Sequence, residues 1–198
     1  MARCPWCEKD PLYKEYHDRE WGVPIINDQK HYEFLVLESA QAGLNWLTIL
    51  KKRDHYRQAY QDFDPARVAT YGPREIQLLL KKSGIIKNRR KIEASINNAR
   101  RFLEIQNEFG SFCNYIWGFV DHEPVVNNWH SLEEIPAHSS LSETISMDMK
   151  QRGFQFIGPT IIYSHLQATG LINDHLLNCF RYQEIIDGYP TIFSKFCP

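Results

Sequence analysis

The stretch from Leu35 to Lys52 constrains the fold more than any other part of the chain, because its pattern predicts two helical pieces joined at Gly43. The i, i+3, i+4, i+7, i+8 spacing of one helix face is followed by Phe34, Leu37, Glu38, Gln41 and Ala42. This spacing places the Glu38 carboxylate within a mostly apolar stripe. We therefore expect the carboxylate to be paired, hydrogen-bonded or protonated, since an isolated buried charge is too costly.

The residues that follow add an apolar tip and an aromatic ring. Gly43 can adopt unusual backbone angles, Leu44 is apolar, Asn45 is a predicted N-cap and Trp46 opens the second piece, which ends in the basic run 51–53. Together with the carboxylate, these features predict a pocket for a flat polar ring. The alternative is an ordinary helix-turn-helix corner whose carboxylate bonds a nearby Lys or Arg.

The composition favours one globular domain. The chain has 198 residues, 43% of them hydrophobic and 13% aromatic, which is enough for a substantial core. No apolar run reaches the length of a membrane span, and no N-terminal signal pattern is visible. We therefore expect a cytoplasmic protein without membrane contact, and a monomer is the default expectation.

The charge is distributed unevenly. A net charge of -1 argues against a general nucleic-acid binder. Between Lys81 and Arg101, however, there are eight Lys or Arg residues against one acid, Glu93. Such a basic face is compatible with a local phosphate contact and, equally, with a solvated helix face.

Helical periodicity dominates the rest of the chain and predicts an all-α architecture of about eight to ten helices. The helix that carries Glu38 is predicted to start at Asn27 or Asp28. Further helices are predicted over residues 46–60, 74–82, 112–120, 142–152 and 159–169. A long helix is predicted to follow the turn at residues 84–92 and to end near residue 107. Residues 121–140 are predicted to be a loop. Residues 1–26 are predicted to be an irregular aromatic arm that lines a site or simply covers one end of the core.

Four residues near the two ends of the chain have the composition of a structural zinc site. His175 and Cys179 are one helical turn apart, and Cys4 and His17 lie near the start of the chain. They form a Cys2His2 set of the kind that closes a tetrahedral zinc site, which would tie the N-terminal arm to the C-terminal helix. Cys4 and Cys7 form a competing pair, so the residues alone leave the choice between Cys7 and His17 open. Unrelated buried Cys and His residues are the remaining alternative.

A glycine-bracketed turn, Gly153 to Gly158, separates two predicted helices. Pro159 suits the first position of the second helix. The turn amides and the helix N-terminus would face outward together, as a site for a DNA-backbone phosphate. The alternative is a plain turn, because most glycine-bracketed turns have no ligand.

Five segments together carry a resemblance to a known family. They are D-P-L-Y-K-E-Y-H-D-R-E-W-G-V-P (10–24), L-E-S-A-Q-A-G-L-N-W-L-T-I-L-K-K (37–52), G-I-I-K-N-R-R-K-I (84–92), R-G-F-Q-F-I-G-P-T (152–160) and G-L-I-N-D-H (170–175). Over about residues 4 to 180 the sequence resembles the 3-methyladenine DNA glycosylase I family of the helix-hairpin-helix superfamily. The resemblance implies an all-α helix-hairpin-helix glycosylase fold with a zinc clip joining the N- and C-terminal segments. We expect a single domain over residues 1–182 and a tail over residues 183–198 that has no clear pattern and is a candidate for disorder.

The resemblance also implies a role for each candidate site residue. The implied residues are, for structural zinc, Cys4, His17, His175 and Cys179; for the extruded base, Glu38, Tyr16, Trp46, Tyr13, Trp6 and Trp21; and for DNA, Gln41, Gly43, Leu44, Gly153, Phe156 and Gly158. Within these sets Glu38 is the catalytic-site carboxylate that hydrogen-bonds the base. Cys7 becomes a spare thiol, and Asp174 is assigned no role because it lies beside an implied zinc ligand.

The implied activity is base-excision repair of alkylated double-stranded DNA, with free 3-methyladenine as the product. Methylation at N3 gives the purine a positive charge, so its release by hydrolysis needs no strong acid. The helix after the glycine turn contains no lysine, and a lyase-type amine nucleophile is therefore absent there. Two other classes remain: a non-catalytic zinc-stapled module that binds DNA structure, and a zinc hydrolase using His175 and Cys179, which a complete four-ligand set disfavours.

Overall fold

The computed structural model describes residues 2–82 and 84–194 and is built mostly of helices. The helices are α1 (Pro11–Arg19), α2 (Asp28–Gln41), α3 (Trp46–Leu50), α4 (Arg53–Ala59), α5 (Pro65–Ala69), α6 (Pro73–Lys81), α7 (Arg89–Phe109), α8 (Phe112–Gly118), α9 (Ser140–Gln151), α10 (Pro159–Ala168) and α11 (Phe180–Phe193). Short 3-10 helices cover Pro5–Cys7, Gln61–Phe63 and Leu132–Glu134. Strands β1 (Val125–Val126) and β2 (Ile172–Asn173) form a short parallel pair. The predicted all-α fold class is confirmed.

Helix α2 lies at the centre of the protein. Every side chain from His31 to Ala40 is buried, and the helix packs against α3, α7, α8 and α10. A helix covered on all sides needs no polar face, which accounts for the apolar run Phe34–Leu37, and its buried polar side chains His31, Glu33, Glu38 and Ser39 must each find a partner or a site. Its start is fixed by Asn27, whose side chain accepts a hydrogen bond from the Lys30 amide at 2.9 Å, as the sequence predicts. This central position brings Glu38 to the inside of the molecule.

The N-terminal segment is more regular than the sequence suggests, and the prediction of an irregular arm is wrong for Pro11–Arg19, which is helix α1. Asp10 caps this helix by accepting from the Leu12 amide at 2.9 Å, and Pro11 occupies the first turn, where a missing N–H costs nothing. The helix predicted over residues 46–60 is divided into α3 and α4. Arg53 begins the second piece and bonds to acids on neighbouring segments.

Helix α11 extends to Phe193, into the segment after Tyr182 where the sequence shows no pattern. Gly188 and Pro190 lie inside it, and both residues weaken a helical signal in a sequence. Its end is packed, because the Phe193 ring contacts Trp117 edge-on at 5.2 Å. Residues 195–198 of the predicted tail lie outside the described residues, and the division at residue 182 stays a prediction. Among residues 2–82 and 84–194, no helix has the length and apolar character needed to cross a membrane.

Candidate active site and metal centre

A cavity of about 330 Å³ opens beside the Glu38 segment of α2. Its walls come from the first 21 residues of the chain, from α2, α3 and α10, and from residues 132–135. The lining residues are Trp6, Tyr13, Tyr16, Trp21, Glu38, Gln41, Trp46, Leu132, Ile135, Ser164 and Gln167. The structure thus brings together every residue for which the resemblance implies contact with a base. The volume of this cavity lies at the lower end of the range for small-ligand sites.

The aromatic walls form a connected set of rings. Trp6 meets Tyr13 edge-on at 5.2 Å and Trp21 edge-on at 5.1 Å, while Tyr16 and Trp46 lie 5.7 Å apart and tilted. Phe34, buried behind the cavity, stacks on Trp46 at 6.4 Å between ring centres. Rings fixed by such contacts offer flat faces to a planar ligand without having to rearrange.

Glu38 is the carboxyl group of the cavity, and it lies there without a partner. Its exposed fraction is 3%, and its side chain makes no hydrogen bond or ion pair within the described residues. Burial alone raises the pKa of Glu38 from 4.5 to about 8, so the group is protonated at neutral pH. Of the three expected states for this carboxylate, the structure therefore selects protonation.

The ion-paired carboxylate of the alternative interpretation is Glu33, five positions earlier on the same helix. Glu33 is also buried, but it accepts from Arg53 Nε at 2.8 Å and from Lys30 Nζ at 2.7 Å. Despite its burial, these cations hold the pKa of Glu33 below its usual value. Helix α2 therefore carries two buried acidic side chains in different surroundings. Glu33 is ion-paired with cations, whereas Glu38 lies in a cavity without a partner.

Two further polar groups of the cavity wall have unusual surroundings. The Nε1 atom of Trp46 is buried and near the Tyr16 hydroxyl, but within residues 2–82 and 84–194 no acceptor meets it at hydrogen-bond geometry. Burial raises the pKa of Tyr16 well above its ordinary value, so its hydroxyl stays protonated. With Glu38, the cavity offers hydroxyl, indole and carboxyl hydrogens to a ligand.

The turn after α2 presents an apolar side chain to solvent. Gly43 has a φ of +79°, in the left-handed region that favours glycine, and Leu44 is 42% exposed. Lys91 of α7 anchors the end of α2 by donating to the Ala40 and Ala42 carbonyls at 2.8 and 2.6 Å. Leu44 therefore projects from a backbone that is held in place.

The segment between α9 and α10 is fixed to the rest of the protein by side chains. Gly153 and Phe156 both have positive φ values, +88° and +53°. The Asn98 side chain donates to the Gln155 carbonyl and accepts from its amide, both at 2.8 Å, and the Ser39 hydroxyl donates to the Phe156 carbonyl at 3.1 Å. Since Ser39 follows Glu38, this turn is attached to the helix that forms the cavity.

The free backbone groups of this turn are amides. Within the part of the chain that the structure describes, the N–H groups of Phe156, Ile157 and Gly158 have no acceptor. They lie just before α10, whose N-cap is Gly158 and whose first residue is Pro159. Gly158 itself has a φ of -60°, so its conformation does not require glycine. Free amides at a helix N-terminus form an anion-binding arrangement.

A cluster of buried metal-ligating side chains lies behind the cavity. Cys4, His17, His175 and Cys179 are all buried, and their ligand atoms lie within 4.8 Å of one another. Individual sulfur-to-nitrogen distances are 3.6 Å from Cys4 to His175 and 3.4 Å from Cys179 to His17. The structure thus selects His17 rather than Cys7, because the Cys7 thiol turns away and donates to the Cys4 carbonyl at 3.1 Å.

The second nitrogen of each histidine in this cluster is also bonded. His17 Nδ1 lies 2.8 Å from Asp18 Oδ1, and His175 Nε2 donates to the Trp21 carbonyl at 3.0 Å. Such outer contacts fix the ring orientation and are usual around metal-bound histidine. The Cys4 thiol hydrogen-bonds to Cys179, which raises the pKa of Cys4 and lowers that of Cys179. The four residues therefore form a site that could hold a metal ion.

Comparison with known proteins places this arrangement in a family. The family model described as methyladenine glycosylase matches residues 6–182, most of the chain. The chain belongs to the methyladenine glycosylase family. The resemblance seen in the sequence is thereby confirmed, and so is the expectation of an enzyme of this kind.

Relatives of this methyladenine glycosylase match it over nearly their full length. DNA-3-methyladenine glycosylase 1 of Escherichia coli (strain K12) is 46% identical over 182 residues, which cover 92% of this chain and 97% of that protein. A crystal structure of 3-methyladenine DNA glycosylase I has 45% identity and a TM-score of 0.88, covering 90% of this chain and 98% of that one. The Staphylococcus aureus enzyme, solved as the structural basis of 3-methyladenine recognition, has 37% identity and a TM-score of 0.88, covering 91% and 96%.

Several cavity residues of this methyladenine glycosylase are missed by the sequence interpretation. Ser164 and Gln167 lie three positions apart on one face of α10, a polar pair on a mostly apolar helix that could have been noticed. Leu132 and Ile135 come from the loop between β1 and α9, where no periodicity marks them. Asp174, which has no role in the sequence interpretation, is buried beside His175, a candidate metal ligand.

Proposed function

We propose that this protein is a monofunctional DNA-3-methyladenine glycosylase that hydrolyses the N-glycosidic bond of 3-methyladenine in alkylated duplex DNA. The observation that carries the proposal is the unpartnered, buried Glu38 carboxyl in a cavity walled by aromatic rings. A buried carboxyl without a partner is costly to ionise, and a cationic ring in the cavity supplies the positive charge that stabilises its ionised form. The names of the E. coli and S. aureus relatives support this substrate.

Recognition rests on a change in the charge of Glu38. Burial holds its pKa at about 8 in the free cavity, so the group is neutral at neutral pH. The positive charge of an N3-methylated base favours the ionised carboxylate and lowers this pKa, so base entry releases a proton from Glu38. Neutral adenine gives no such stabilisation. Base selection therefore depends on charge, with Tyr16 and Trp46 stacking on the ring and Trp6, Tyr13 and Trp21 closing the wall.

The reaction needs little from the protein beyond positioning. Water adds its oxygen to C1′ of the sugar, the bond from C1′ to N9 breaks, and its electron pair neutralises the charged base. The water proton passes to solvent. The ionised Glu38 stabilises the positive charge on the base and on the sugar as the bond breaks. No covalent intermediate with the protein is involved, in keeping with the absence of lysine from α10.

A base must leave the duplex to enter this cavity, and two exposed segments suit that step. Leu44, with Gln41 and the Gly43 turn, fills the space left in the base stack. The turn from Gly153 to Gly158, with Phe156 exposed at its tip, holds a phosphate on its free amides as a helix-hairpin-helix element does. Because the Ser39 hydroxyl bonds to this turn, the DNA backbone is positioned relative to α2.

Zinc is the metal that best suits the Cys2His2 cluster. Zinc–sulfur bonds of about 2.3 Å and zinc–nitrogen bonds of about 2.0 Å, at a tetrahedral angle, would place sulfur and nitrogen about 3.5 Å apart. The observed separations of 3.4 to 3.6 Å fit this arrangement. Bound zinc would supply stability rather than reactivity, since four protein ligands leave no open position. Cys4 and His17 hold the start of the chain against His175 and Cys179 near its end.

The test is release of free base from methylated duplex DNA, resolved by chromatography. Wild type should release 3-methyladenine. Glu38→Gln should slow release about 10- to 100-fold, the value of a hydrogen bond to a charged group. The matched control is Glu33→Gln, which changes an equally buried carboxylate of the same helix that faces Arg53 and Lys30. This control should melt at a lower temperature and retain the wild-type rate while folded.

Absence of base release by wild type, with metal-loaded folded protein still binding the DNA, would contradict the proposal. That result would favour a non-catalytic module that binds DNA through the turn before α10. Equal loss of activity in the Glu38 and Glu33 variants, both folded, would contradict the specific role of Glu38.

A further inference from the structure

Asp174 is a buried carboxylate whose bonds all come from neutral donors. Its exposed fraction is 1%, and both oxygens accept two hydrogen bonds each. The donors are Asn127 Nδ2 at 2.7 Å, Trp129 Nε1 at 2.7 Å, the Tyr163 hydroxyl and Gln167 Nε2 at 2.7 Å. A carboxylate that accepts four bonds has no lone pair directed at a substrate. Asp174 therefore orients its neighbours and does not take part in the chemistry.

The neighbour that reaches the cavity is Gln167. Its Nε2 is committed to Asp174, and the opposite atom of the amide, Oε1, receives no hydrogen bond within residues 2–82 and 84–194. Gln167 lies on α10, is half-buried and lines the same cavity as Glu38. Its carbonyl oxygen is thus the polar atom that remains for a ligand.

The orientation of this amide is locked. Turning it over would bring Oε1 against the Asp174 carboxylate, and two acceptors would then face each other in a buried place. The carboxylate itself cannot move to relieve the contact, since Tyr163, Asn127 and Trp129 hold it from α10 and from the loop after β1. A glutamine can usually present either donor or acceptor, but Gln167 presents only an acceptor.

We propose that Gln167, fixed by Asp174, is a specificity-determining residue that accepts a hydrogen bond from the exocyclic amino group of the bound base. The inference rests on the proposed function and adds what distinguishes an adenine ring from a guanine ring. Adenine carries a donor amino group at its 6-position, whereas guanine carries an acceptor oxygen there. An acceptor oxygen facing Gln167 Oε1 would leave both groups unsatisfied, and such mismatches give strong discrimination.

Glu38 does not provide this discrimination by itself. Glu38 is protonated in the free cavity, with one O–H donor and one acceptor oxygen, and it only accepts once a cationic base ionises it, so its hydrogen-bonding direction is not fixed before the base binds. The hydroxyl of Tyr16 has the same ambiguity, and the indole of Trp46 only donates. Of these four side chains, the locked amide of Gln167 is the one that presents an acceptor whose direction is set before the base binds.

The experiment compares two free bases with different groups at the 6-position: 3-methyladenine, and 3-methylhypoxanthine, which carries a carbonyl oxygen there and one additional ring N–H. Their dissociation constants are measured by calorimetry for wild type, Gln167→Met and Gln183→Met. Methionine keeps the length and helical preference of the side chain but has no amide. Gln167→Met should weaken 3-methyladenine binding about 10-fold, the value of one hydrogen bond, without weakening 3-methylhypoxanthine binding. Gln183→Met makes the same change at an exposed glutamine of α11, outside the cavity, whose amide donates to Asp187, and it should keep the wild-type ratio.

Two outcomes would overturn the inference alone: an unchanged ratio of the two constants in Gln167→Met, or a wild type that binds both bases equally. The second outcome does not depend on the folding of any variant. If wild type binds neither base and releases none from methylated DNA, the proposed function fails with it. A purely structural role of Gln167 would lower both affinities together and leave the ratio unchanged.

Discussion

The cavity and the metal centre both contain buried polar side chains, but these side chains have partners in the metal centre and lack them in the cavity. In the metal centre the ligand atoms lie within 4.8 Å of one another, and each histidine has a further partner on its second nitrogen. In the cavity, the Glu38 carboxyl and Trp46 Nε1 have no partner within the described residues. The two regions are neighbours, because Trp21 lines the cavity and packs edge-on against His175 at 4.5 Å.

From this difference we infer that the metal centre stabilises the fold, whereas the cavity binds a ligand. A buried polar group costs free energy unless another group satisfies it. The cluster satisfies its own groups and, with a metal, joins two distant segments of the chain. The cavity leaves its groups unsatisfied, so its native state carries a cost that a suitable ligand offsets. Changes in the first region should therefore lower stability, and changes in the second should alter binding.

The largest effect is expected from Cys179→Ser, which removes a metal ligand. The free energy of unfolding should fall by more than about 5 kcal/mol, because structural zinc sites contribute much of the stability around them. For a chain of this size the melting temperature should fall by about 15 °C, measured by calorimetry together with metal content. Base release by the folded fraction at low temperature should persist.

The matched control for this variant is Cys7→Ser. Cys7 is buried at the same place but bonds only the Cys4 carbonyl, so the control should keep its metal and melt close to wild type. A metal-free Cys179→Ser protein with unchanged melting and full activity would contradict a stabilising role for the metal centre.

The second largest effect is expected from Glu38→Gln, which should make the folded protein more stable relative to wild type as the pH rises. The folded protein keeps the Glu38 proton between pH 4.5 and about pH 8, whereas the unfolded chain releases it over that range. Rising pH through this window therefore favours unfolding of the wild type. The variant lacks this titration. Its stability relative to wild type should increase by roughly 3–5 kcal/mol between pH 5 and pH 8, or about 10 °C in melting temperature.

The measurement is thermal melting of both proteins across this pH range, without ligand. Other titrating groups are common to both chains and cancel in the difference. A melting difference that stays constant from pH 5 to pH 8 would show that Glu38 has a satisfied, ordinary environment, and the contrast between cavity and metal centre would no longer hold.

A smaller effect is expected from Leu44→Ala, which shortens the exposed side chain next to the cavity. Loss of its contact with the opened base stack should lower base release from duplex DNA about 10-fold. The affinity for free 3-methyladenine should not change, because Leu44 does not line the cavity. Leu78→Ala is the control, since Leu78 is another exposed leucine, on α6. Equal effects on duplex and free base would place Leu44 in the cavity rather than in the stack.

Local chemistry made much of this molecule predictable. Asn27 and Asn45 cap helices as their residue types predict, and the spacing of His175 and Cys179 indicates a shared metal site. The choice of His17 over Cys7 could not be made locally, because it depends on which side chain the packed N-terminal segment turns inward.

Two further features of the structure, helix α1 and the place of Gln167 in the cavity, were not predicted from the sequence. Helix α1 was obscured by aromatic residues and by Pro11, although proline is compatible with a first helical turn. Gln167 was missed because its importance comes from Asp174, seven positions away, and from the face that α10 turns towards the cavity. Neither relation is visible in periodicity.

The contact between Cys4 and His175 joins residues that are 171 positions apart in the chain. Bringing such distant segments together costs conformational entropy that grows with the logarithm of the intervening length. Contacts of this kind slow folding, and we expect them to form after the local helices. Since the cavity uses Trp6 and Tyr16 from one end of the chain and Gln167 from near the other, it should be completed only in this final stage. Newly refolded protein should therefore acquire helical structure before it acquires a base-binding site.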